Sequence, residues 1–285
     1  MKAKRGILII LECLTALLFL LFFAPFYIVL VNAFKSRVEV LTNVLGLPHD
    51  WGQVVTNFKA ILGNGNLRFL SATVNSVIIT VCSLAIIAVF SAMAAWVLVR
   101  TKNRASQSIF ALYVAAMVIP FQVVMLPLVS WMRIIYETVG IPMLRTHHGL
   151  IFAYLGFGCS LSIFLYHGFI KGIPVELEQA AVVDGCSKPG VFFRIVFPLL
   201  KPITVTVLVL NGIWIWNDYL LPLLMLGTGN AIQTIPLAIS GFVGSFVKQW
   251  ELIMLALLLA IVPVVILYLF AQKYIIKGMI EGAIK

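Results

Sequence analysis

The chain has 285 residues, of which 62% are hydrophobic and 11% are charged, with 20 Lys and Arg against 10 Asp and Glu. A soluble domain is about a quarter charged, so this composition excludes an ordinary soluble fold and indicates one polytopic membrane domain over residues 1–285. The positive excess is typical of the cytoplasmic loops of membrane proteins. Because no basic run with interleaved aromatic residues occurs, nucleic acid is not expected as a partner. The four cysteines form no CxxC pair, and we expect neither a disulfide nor a metal site.

Six apolar stretches are long enough to cross a bilayer, which takes about 20 helical residues. They are 7–31, 72–99, 109–131, 150–170, 203–226 and 252–270. The first is longer than a signal-peptide core of about 7–15 residues, so we interpret it as a retained helix. Backbone groups in lipid must form their hydrogen bonds within each segment, so the predicted fold class is an all-α polytopic membrane protein with six transmembrane helices.

The distribution of Lys and Arg predicts an orientation. With the N-terminus placed in the cytoplasm, the inner segments hold more Lys and Arg than the outer ones, although they are shorter. The positive-inside rule then predicts a multi-pass protein with both termini cytoplasmic. The same rule places the 174–202 loop and the tail 271–285 in the cytoplasm.

The 174–202 loop is too short and too interrupted to cross the membrane. Pro174 suits the start of a helix, and Gly185 suits its C-terminal end. Ser187 and Pro189 then predict a second short helix that runs towards Pro198. The sequence therefore predicts a helix–turn–helix on the cytoplasmic surface.

Such a helix pair can rest on lipid or dock a protein. An interfacial helix on an anionic leaflet favours Lys or Arg on its polar face. Glu176 and Glu178 stand there instead, which favours protein docking.

The loop resembles the EAA loop of the permeases of ATP-binding-cassette (ABC) importers, in which a glutamate and two alanines precede Asp-Gly, Ile and Pro at fixed distances. The matching residues here are Ala180, Ala181, Asp184, Gly185, Ile195 and Pro198, with Gln179 at the glutamate position. The resemblance implies that the loop docks an ATPase, and the candidate docking residues are these together with Glu176 and Glu178. Gln179 removes a charge from that surface, so docking is expected to depend on shape and small side chains.

Residues 216–223 and 272–283 resemble the carbohydrate branch of these permeases, the maltose-type uptake family. The resemblance implies the fold of a type I ABC importer permease with a coupling-helix loop, in a bacterial or archaeal cytoplasmic (inner) membrane. It implies as partners a second homologous permease, ATPase subunits and an extracytoplasmic substrate-binding protein. The implied function is carbohydrate uptake by alternating access; a non-sugar solute such as a glycerophosphodiester stays open.

No GxxxxGK[ST] phosphate loop occurs, so we expect ATP and Mg to bind the partner ATPase and no cofactor to bind this chain. Neither HExxH, GxSxG nor CxxC occurs, and we expect a transport subunit rather than an enzyme. An ion-gradient-driven secondary transporter is the alternative class. It favours a cluster of ionisable groups near the membrane midplane, and Glu12, inside the first predicted span, is not part of such a cluster.

The fifth predicted span carries a polar face. Asn211, Trp214, Asn217 and Asp218 recur at three- and four-residue spacing and so share one side of a helix. Amide, carboxylate and indole groups suit a sugar, so this face is a candidate translocation path. The same groups equally suit packing between helices, and both interpretations stay open.

Overall fold

The computed structural model describes residues 2–63, 69–242 and 249–283, and within these ranges the regular structure is entirely helical. The helices are α1 (Lys2–Asn32), α2 (Arg37–Thr42), α3 (Gln53–Gly63), α4 (Phe69–Arg100), α5 (Arg104–Ala116), α6 (Phe121–Val139), α7 (His147–Ile170), α8 (Glu176–Val183), α9 (Lys188–Val191), a π-helix (Phe192–Val196), α10 (Phe197–Leu199), α11 (Lys201–Asn217), α12 (Leu220–Leu226), α13 (Ile235–Ser240) and α14 (Trp250–Ala283). The chain divides into two compact units, one of Met1–Leu70 with Ala238–Pro263 and one of Ser71–Leu237 with Val264–Lys285. The expectation of a single domain stays a prediction.

Three helices, α1, α4 and α7, are each long and apolar enough to cross a membrane. Two bent pairs raise the number to as many as five: α5 with α6, and Lys188–Leu199 with α11. The sixth predicted span, 252–270, lies in α14, whose apolar part Trp250–Ile266 is shorter. The all-α fold class is confirmed, while the sixth crossing stays a prediction. The helix α14 continues to Ala283 through the predicted tail, whose last two residues lie outside the described ranges.

The third predicted span, 109–131, is not one helix. The helix α5 ends at Ala116 and α6 begins at Phe121. The helix direction bends by 109° between them. Pro120 between them has no backbone N–H and disfavours helical geometry in the residue before it. The apolar sequence is therefore continuous where the helix is not.

The fifth predicted span, 203–226, is also divided, because α11 ends at Asn217 and α12 begins at Leu220. Asp218 Oδ1 accepts hydrogen bonds from the backbone N–H groups of Leu220 and Leu221, at 3.0 and 3.4 Å. A side chain that caps a new helix start in this way ends the preceding one.

The helix α7 forms the core of the second unit, and half of its most apolar 18-residue stretch is buried. Small residues such as Gly158 and Ser162 line its buried side, and small side chains let membrane helices approach closely. The buried Tyr166 donates its hydroxyl hydrogen to Thr204 Oγ1 of α11 at 3.0 Å. The helices α7 and α11 are thereby fixed against each other.

A buried lysine organises the segment after α1 in the first unit. Lys35 Nζ donates to Asn32 Oδ1 at 3.2 Å and to the carbonyl oxygens of Asn43 and Val44 at 2.5 and 3.3 Å. Asn57 Nδ2 donates to the Lys35 carbonyl at 2.9 Å. Burial lowers the pKa of Lys35 below its ordinary value, and the nearby Glu39 opposes that shift.

The same segment holds a carboxylate–imidazole pair whose strength depends on pH. Glu39 Oε1 lies 2.7 Å from His49 Nδ1 and accepts the His49 backbone N–H at 2.9 Å. These hydrogen bonds hold the pKa of Glu39 below its ordinary value. A depressed folded-state pKa adds stability above the unfolded-state pKa, about 4.3 for glutamate, and that stability is lost as the pH falls through the folded-state value.

We therefore expect the backbone amides of 39–49 to lose protection from hydrogen exchange as the pH falls below about 4.3. The Glu39→Gln variant is expected to lose this pH dependence. The exposed carboxylate of Glu137 provides the control: Glu137→Gln is expected to keep the wild-type profile. An unchanged profile in Glu39→Gln would contradict the assignment.

Candidate functional site

The 174–202 loop folds into two short arms joined by a tight turn. Gly185 ends the first arm with φ +84°, and the Cys186 N–H donates back to the Ala181 carbonyl at 2.9 Å. This six-to-one hydrogen bond with a left-handed glycine is the Schellman ending of a helix. Ser187 then caps the second arm by accepting the Gly190 N–H at 3.4 Å. The predicted helix–turn–helix is confirmed as a structure, and its second arm also contains a π-helical turn at Phe192–Val196.

Replacing Gly185 tests whether the turn sets the geometry of the loop. A Cβ at Gly185 meets no atom within 4 Å, so Gly185→Ala adds only backbone strain, about 1–2 kcal/mol for an L-residue in the left-handed region. We expect faster hydrogen exchange in α8. Gly190→Ala is the matched control, because its Cβ makes only ordinary contacts at 3.4 Å or more. Equal exchange in the two variants would contradict the role of the turn.

The carboxylate of Glu178 points into the protein. Arg100 Nε and Nη2 lie 2.8 and 2.7 Å from Glu178 Oε1, and Trp96 Nε1 donates to Oε2 at 2.9 Å. Arg100 Nη2 also donates to the Ile173 carbonyl at 3.0 Å. Both carboxylate oxygens are thus used within the chain, with Glu178 only 7% exposed. We call Trp96, Arg100 and Glu178 the clamp residues.

The nine residues predicted for docking differ in how far they are exposed to solvent. Glu178 and Ala181 are buried and Ile195 is half-buried. The exposed members are Glu176, Gln179, Ala180, Asp184, Gly185 and Pro198. Glu178 and Ala181 therefore lie in the interior of the loop rather than on its outer surface. The partners of Glu178 are on α4.

The outer surface of α8 is apolar as well as acidic. Val183 is 85% exposed, Val182 is 56% exposed and Leu177 is 46% exposed. A short helix between membrane spans normally buries such side chains and exposes its carboxylates. In α8 the carboxylate of Glu178 is inside and the valines are outside.

A groove of about 910 Å³ lies beside α8, between this helix and the end of α4. Lys102, Lys171 and Lys188 line it together with Glu176 and Gln179. The groove and the exposed valines form one continuous surface around the first arm. The lining of the groove mixes charged, amide and apolar side chains, as protein interfaces do.

The four residues predicted for a translocation path do not act as one face. Asn211 is 3% exposed and donates to Ser162 Oγ at 3.0 Å and to the Val207 carbonyl at 2.9 Å. It therefore joins α11 to α7 as packing between helices. Asn217 is exposed and donates to the Ile213 carbonyl of its own helix at 2.7 Å.

The other two predicted residues, Trp214 and Asp218, both contact Tyr154 of α7. Trp214 packs edge-on against Tyr154, with ring centroids 5.5 Å apart, and against Phe157 at 6.4 Å. Tyr154 in turn donates to Asp218 Oδ2 at 3.1 Å. Asp218 is thus engaged by Tyr154 and by the start of α12.

An open groove of about 760 Å³ runs along α7 and α11. Asn211 and Trp214 contribute to its lining, whereas Asn217 and Asp218 do not. The structure therefore brings together two of the four predicted residues in one cavity. The groove is mostly apolar, with Trp131 and Phe152 among its walls.

Sequence reasoning missed Trp96 and Arg100. Trp96 lies within the second predicted span, 72–99, and Arg100 lies just after it. The signal that could have found them is a Trp and an Arg four residues apart at the end of a span, since residues at that spacing share one helix face. Within the described ranges, no three His, Cys, Asp or Glu side chains are grouped to hold a metal ion.

The long apolar helices are those of an integral membrane protein. The chain belongs to the family described as "Binding-protein-dependent transport system inner membrane component", whose model matches residues 85–281. The prediction of a transport subunit is thereby confirmed.

Relatives along nearly the whole chain agree with this membership. The probable starch degradation products transport system permease protein AmyC of Thermoanaerobacterium thermosulfurigenes is 45% identical over 276 residues, covering 97% of this chain and 96% of AmyC. The melibiose/raffinose/stachyose import permease protein MelC of Bacillus subtilis (strain 168) is 35% identical over 282 residues, covering 97% and 96%.

The fold also matches a solved structure. The crystal structure of a bacterial ABC transporter involved in the import of the acidic polysaccharide alginate contains a chain that superposes with a TM-score of 0.79. The match covers 96% of this chain and 98% of that chain, at 21% sequence identity. The all-α fold is therefore that of an ABC importer permease.

Proposed function

We propose that this chain is the permease subunit of an ABC importer for carbohydrates and that its 174–202 loop docks the ATPase. The observation that carries the docking part of the proposal is the exposed apolar surface of α8. Val183 is exposed, while the carboxylate of Glu178 is buried and hydrogen-bonded to Arg100. An exposed apolar patch beside a groove is typical of a surface that another protein covers.

The exposed apolar surface of α8 could also contact the lipid bilayer. Peripheral helices bind anionic leaflets through Lys and Arg on their polar faces. The helix α8 has the sequence ELEQAAVV, without Lys or Arg, and its exposed charge is Glu176, with Asp184 directly after it. On α8 itself this charge opposes an anionic membrane and favours a protein partner; Lys102, Lys171 and Lys188 of the adjacent groove lie outside α8.

The relatives support a carbohydrate as the solute. AmyC is described for starch degradation products and MelC for melibiose, raffinose and stachyose. An ion-gradient-driven transporter and a glycerophosphodiester permease have less support, because these relatives are permeases of sugar systems. Trp214 in the α7–α11 groove offers an aromatic face of the kind that stacks on sugar C–H groups.

The assembly we propose contains a second homologous permease, ATPase subunits and an extracytoplasmic binding protein. ATP and Mg bind the ATPase, both termini of this chain lie in the cytoplasm, and the membrane is a bacterial or archaeal cytoplasmic (inner) membrane. Closure of the ATPase displaces the 174–202 loop, the spans change from inward-facing to outward-facing, and the sugar enters from the binding protein.

Docking is tested with two valines of similar exposure. Val183→Glu places a charge on the outer surface of α8 without removing an internal contact, and Val38→Glu does the same on α2, where the side chain is 71% exposed. We expect Val183→Glu to reduce co-purification of the ATPase at least tenfold, which corresponds to about 1.4 kcal/mol of binding. Val38→Glu is expected to retain it. Equal retention by both variants would contradict docking at α8.

The solute is tested by uptake in vesicles that contain the assembled complex and its binding protein. Labelled maltotriose, raffinose and glycerophosphocholine are supplied with ATP inside. We expect ATP-dependent uptake of at least one of the two sugars. Uptake of glycerophosphocholine alone would exclude the carbohydrate proposal while leaving the permease class intact.

A further inference from the structure

The clamp residues hold both arms of the 174–202 loop against the end of α4. Arg100 and Trp96 donate hydrogen bonds to both carboxylate oxygens of Glu178 on the first arm. The indole ring of Trp96 also packs on Phe192 of the π-helical turn in the second arm, with ring centroids 5.5 Å apart. The loop is therefore attached to α4 at two separate points.

The other end of α4 is attached as well. His147 Nε2, at the start of α7, lies 2.9 Å from Asn75 Oδ1. Ser76 Oγ accepts the backbone N–H of Ile235, at the start of α13, at 2.8 Å. From Asn75 to Arg100, a rise of 1.5 Å per residue gives about 38 Å. The hydrocarbon core is about 30 Å thick, so if α4 crosses the membrane the two sets of contacts lie near its opposite faces.

Between these contacts α4 is an uninterrupted helix. Its 32 residues, Phe69–Arg100, include neither Pro nor Gly. Three other long helices each contain a proline: Pro25 in α1, Pro127 in α6 and Pro263 in α14. Sharp helix kinks almost always occur at Pro, at Gly or Ser pairs, or where the backbone ladder is disturbed. The sequence of α4 therefore suits a stiff rod.

We propose that Trp96 and Arg100 are positioning residues that make α8 and α4 move as one body. A displacement of the loop is then transmitted along α4 to Asn75 and Ser76 at the opposite face. The inference rests on the proposed function, because the docked ATPase supplies the displacement. The route runs within one chain, from the buried carboxylate of Glu178 on the loop to the polar contacts of Asn75 and Ser76 at the other end of α4.

The chemistry of the clamp indicates which substitutions separate transmission from folding. Arg100→Lys keeps the positive charge near Glu178, but a single ammonium group lacks the planar fork that reaches both the carboxylate and the Ile173 carbonyl. Trp96→Phe keeps an aromatic ring against Phe192 and removes the indole N–H together with part of the ring system. Arg104→Lys is the matched control, since Arg104 is an exposed arginine just beyond α4.

The test uses the complete complex in vesicles with its ATPase and its binding protein, with maltotriose and raffinose supplied separately. Three quantities are measured for each variant: ATPase retained on purification, basal ATP turnover, and turnover stimulated by the sugar-loaded binding protein. We expect Arg100→Lys and Trp96→Phe to retain the ATPase and to keep basal turnover within about twofold of the wild type. The stimulation is expected to fall at least fivefold, while Arg104→Lys keeps all three quantities.

A second measurement separates a linked movement from a general loss of structure. The exchanged pair Arg100→Glu with Glu178→Arg restores the opposite charges in reverse order, and we expect it to recover more stimulation than Arg100→Glu alone. Wild-type stimulation in Arg100→Lys and Trp96→Phe overturns the inference, and so does loss of the ATPase from those variants alone. Failure of the wild-type chain to retain an ATPase overturns the proposed function, and the inference with it.

Discussion

Replacing Glu178 with alanine is expected to lower the free energy of unfolding of the chain by about 3 kcal/mol, because breaking a buried ion pair leaves its partner unpaired. The value is at the low end of the range for such pairs, since the Arg100 side chain keeps 22% exposure and regains water. Trp96 Nε1 also loses its acceptor. The thermal midpoint in detergent and the yield of monodisperse protein measure the effect.

Glu176 provides the control for this prediction. It lies in the same helical turn as Glu178 but is exposed, and surface substitutions usually change stability by less than about 0.5 kcal/mol. Glu176→Ala is therefore expected to leave the midpoint unchanged. Equal midpoints for Glu176→Ala and Glu178→Ala would show that the carboxylate of Glu178 is not buried as described.

The second large effect is expected at Gly149, near the start of α7. A Cβ there lies within 3.0 Å of three backbone atoms of Met143, so Gly149→Ala requires a shift of the backbone. Overpacking of this kind costs about 1–3 kcal/mol, and a backbone clash places it at the upper end. We expect a lower thermal midpoint and a large loss of folded protein.

Gly168 lies in the same helix and has nothing within 4 Å of its Cβ position. Gly168→Ala is expected to raise stability, by up to about 1 kcal/mol, because alanine is the better helix former. The two substitutions are chemically identical, so opposite signs would report the contact with Met143 alone. A loss of stability in both variants would contradict the close approach.

The sequence predicts the composition of the spans better than their continuity. The break before Phe121 occurs at Pro120, yet Pro127 lies within the next helix without ending it. Proline is tolerated in membrane helices when neighbouring groups satisfy the freed carbonyl. Whether a proline ends a helix therefore depends on tertiary contacts that periodicity does not contain.

The local chemistry of the 174–202 loop was predictable, but the direction in which its side chains point was not. Gly185 and Ser187 occupy the turn and the cap that their residue types favour. The burial of Glu178 depends on Arg100, 78 residues earlier. A carboxylate on a short helix appears solvent-exposed until its partner is located in space.

The polar face of α11 shows the same limit. Spacing places Asn211 and Trp214 on one side of the helix, and both line the α7–α11 groove. Spacing alone does not reveal that Asn211 is satisfied by Ser162, or that Asp218 caps the next helix. The residue types suit both a solute path and helix packing, and Asn211 both bonds Ser162 and lines the groove, so its role in a solute path stays a prediction.

Photo-crosslinking from position 183 tests the central claim, that α8 docks the ATPase, most directly. Val183, and Val38 as control, are replaced in turn by p-benzoylphenylalanine in the intact complex in its native membrane. We expect illumination to join position 183 to a polypeptide that carries a GxxxxGK[ST] phosphate loop, identified by mass spectrometry, while position 38 gives no such product. Absence of that adduct at position 183, or equal yield at position 38, would contradict the account.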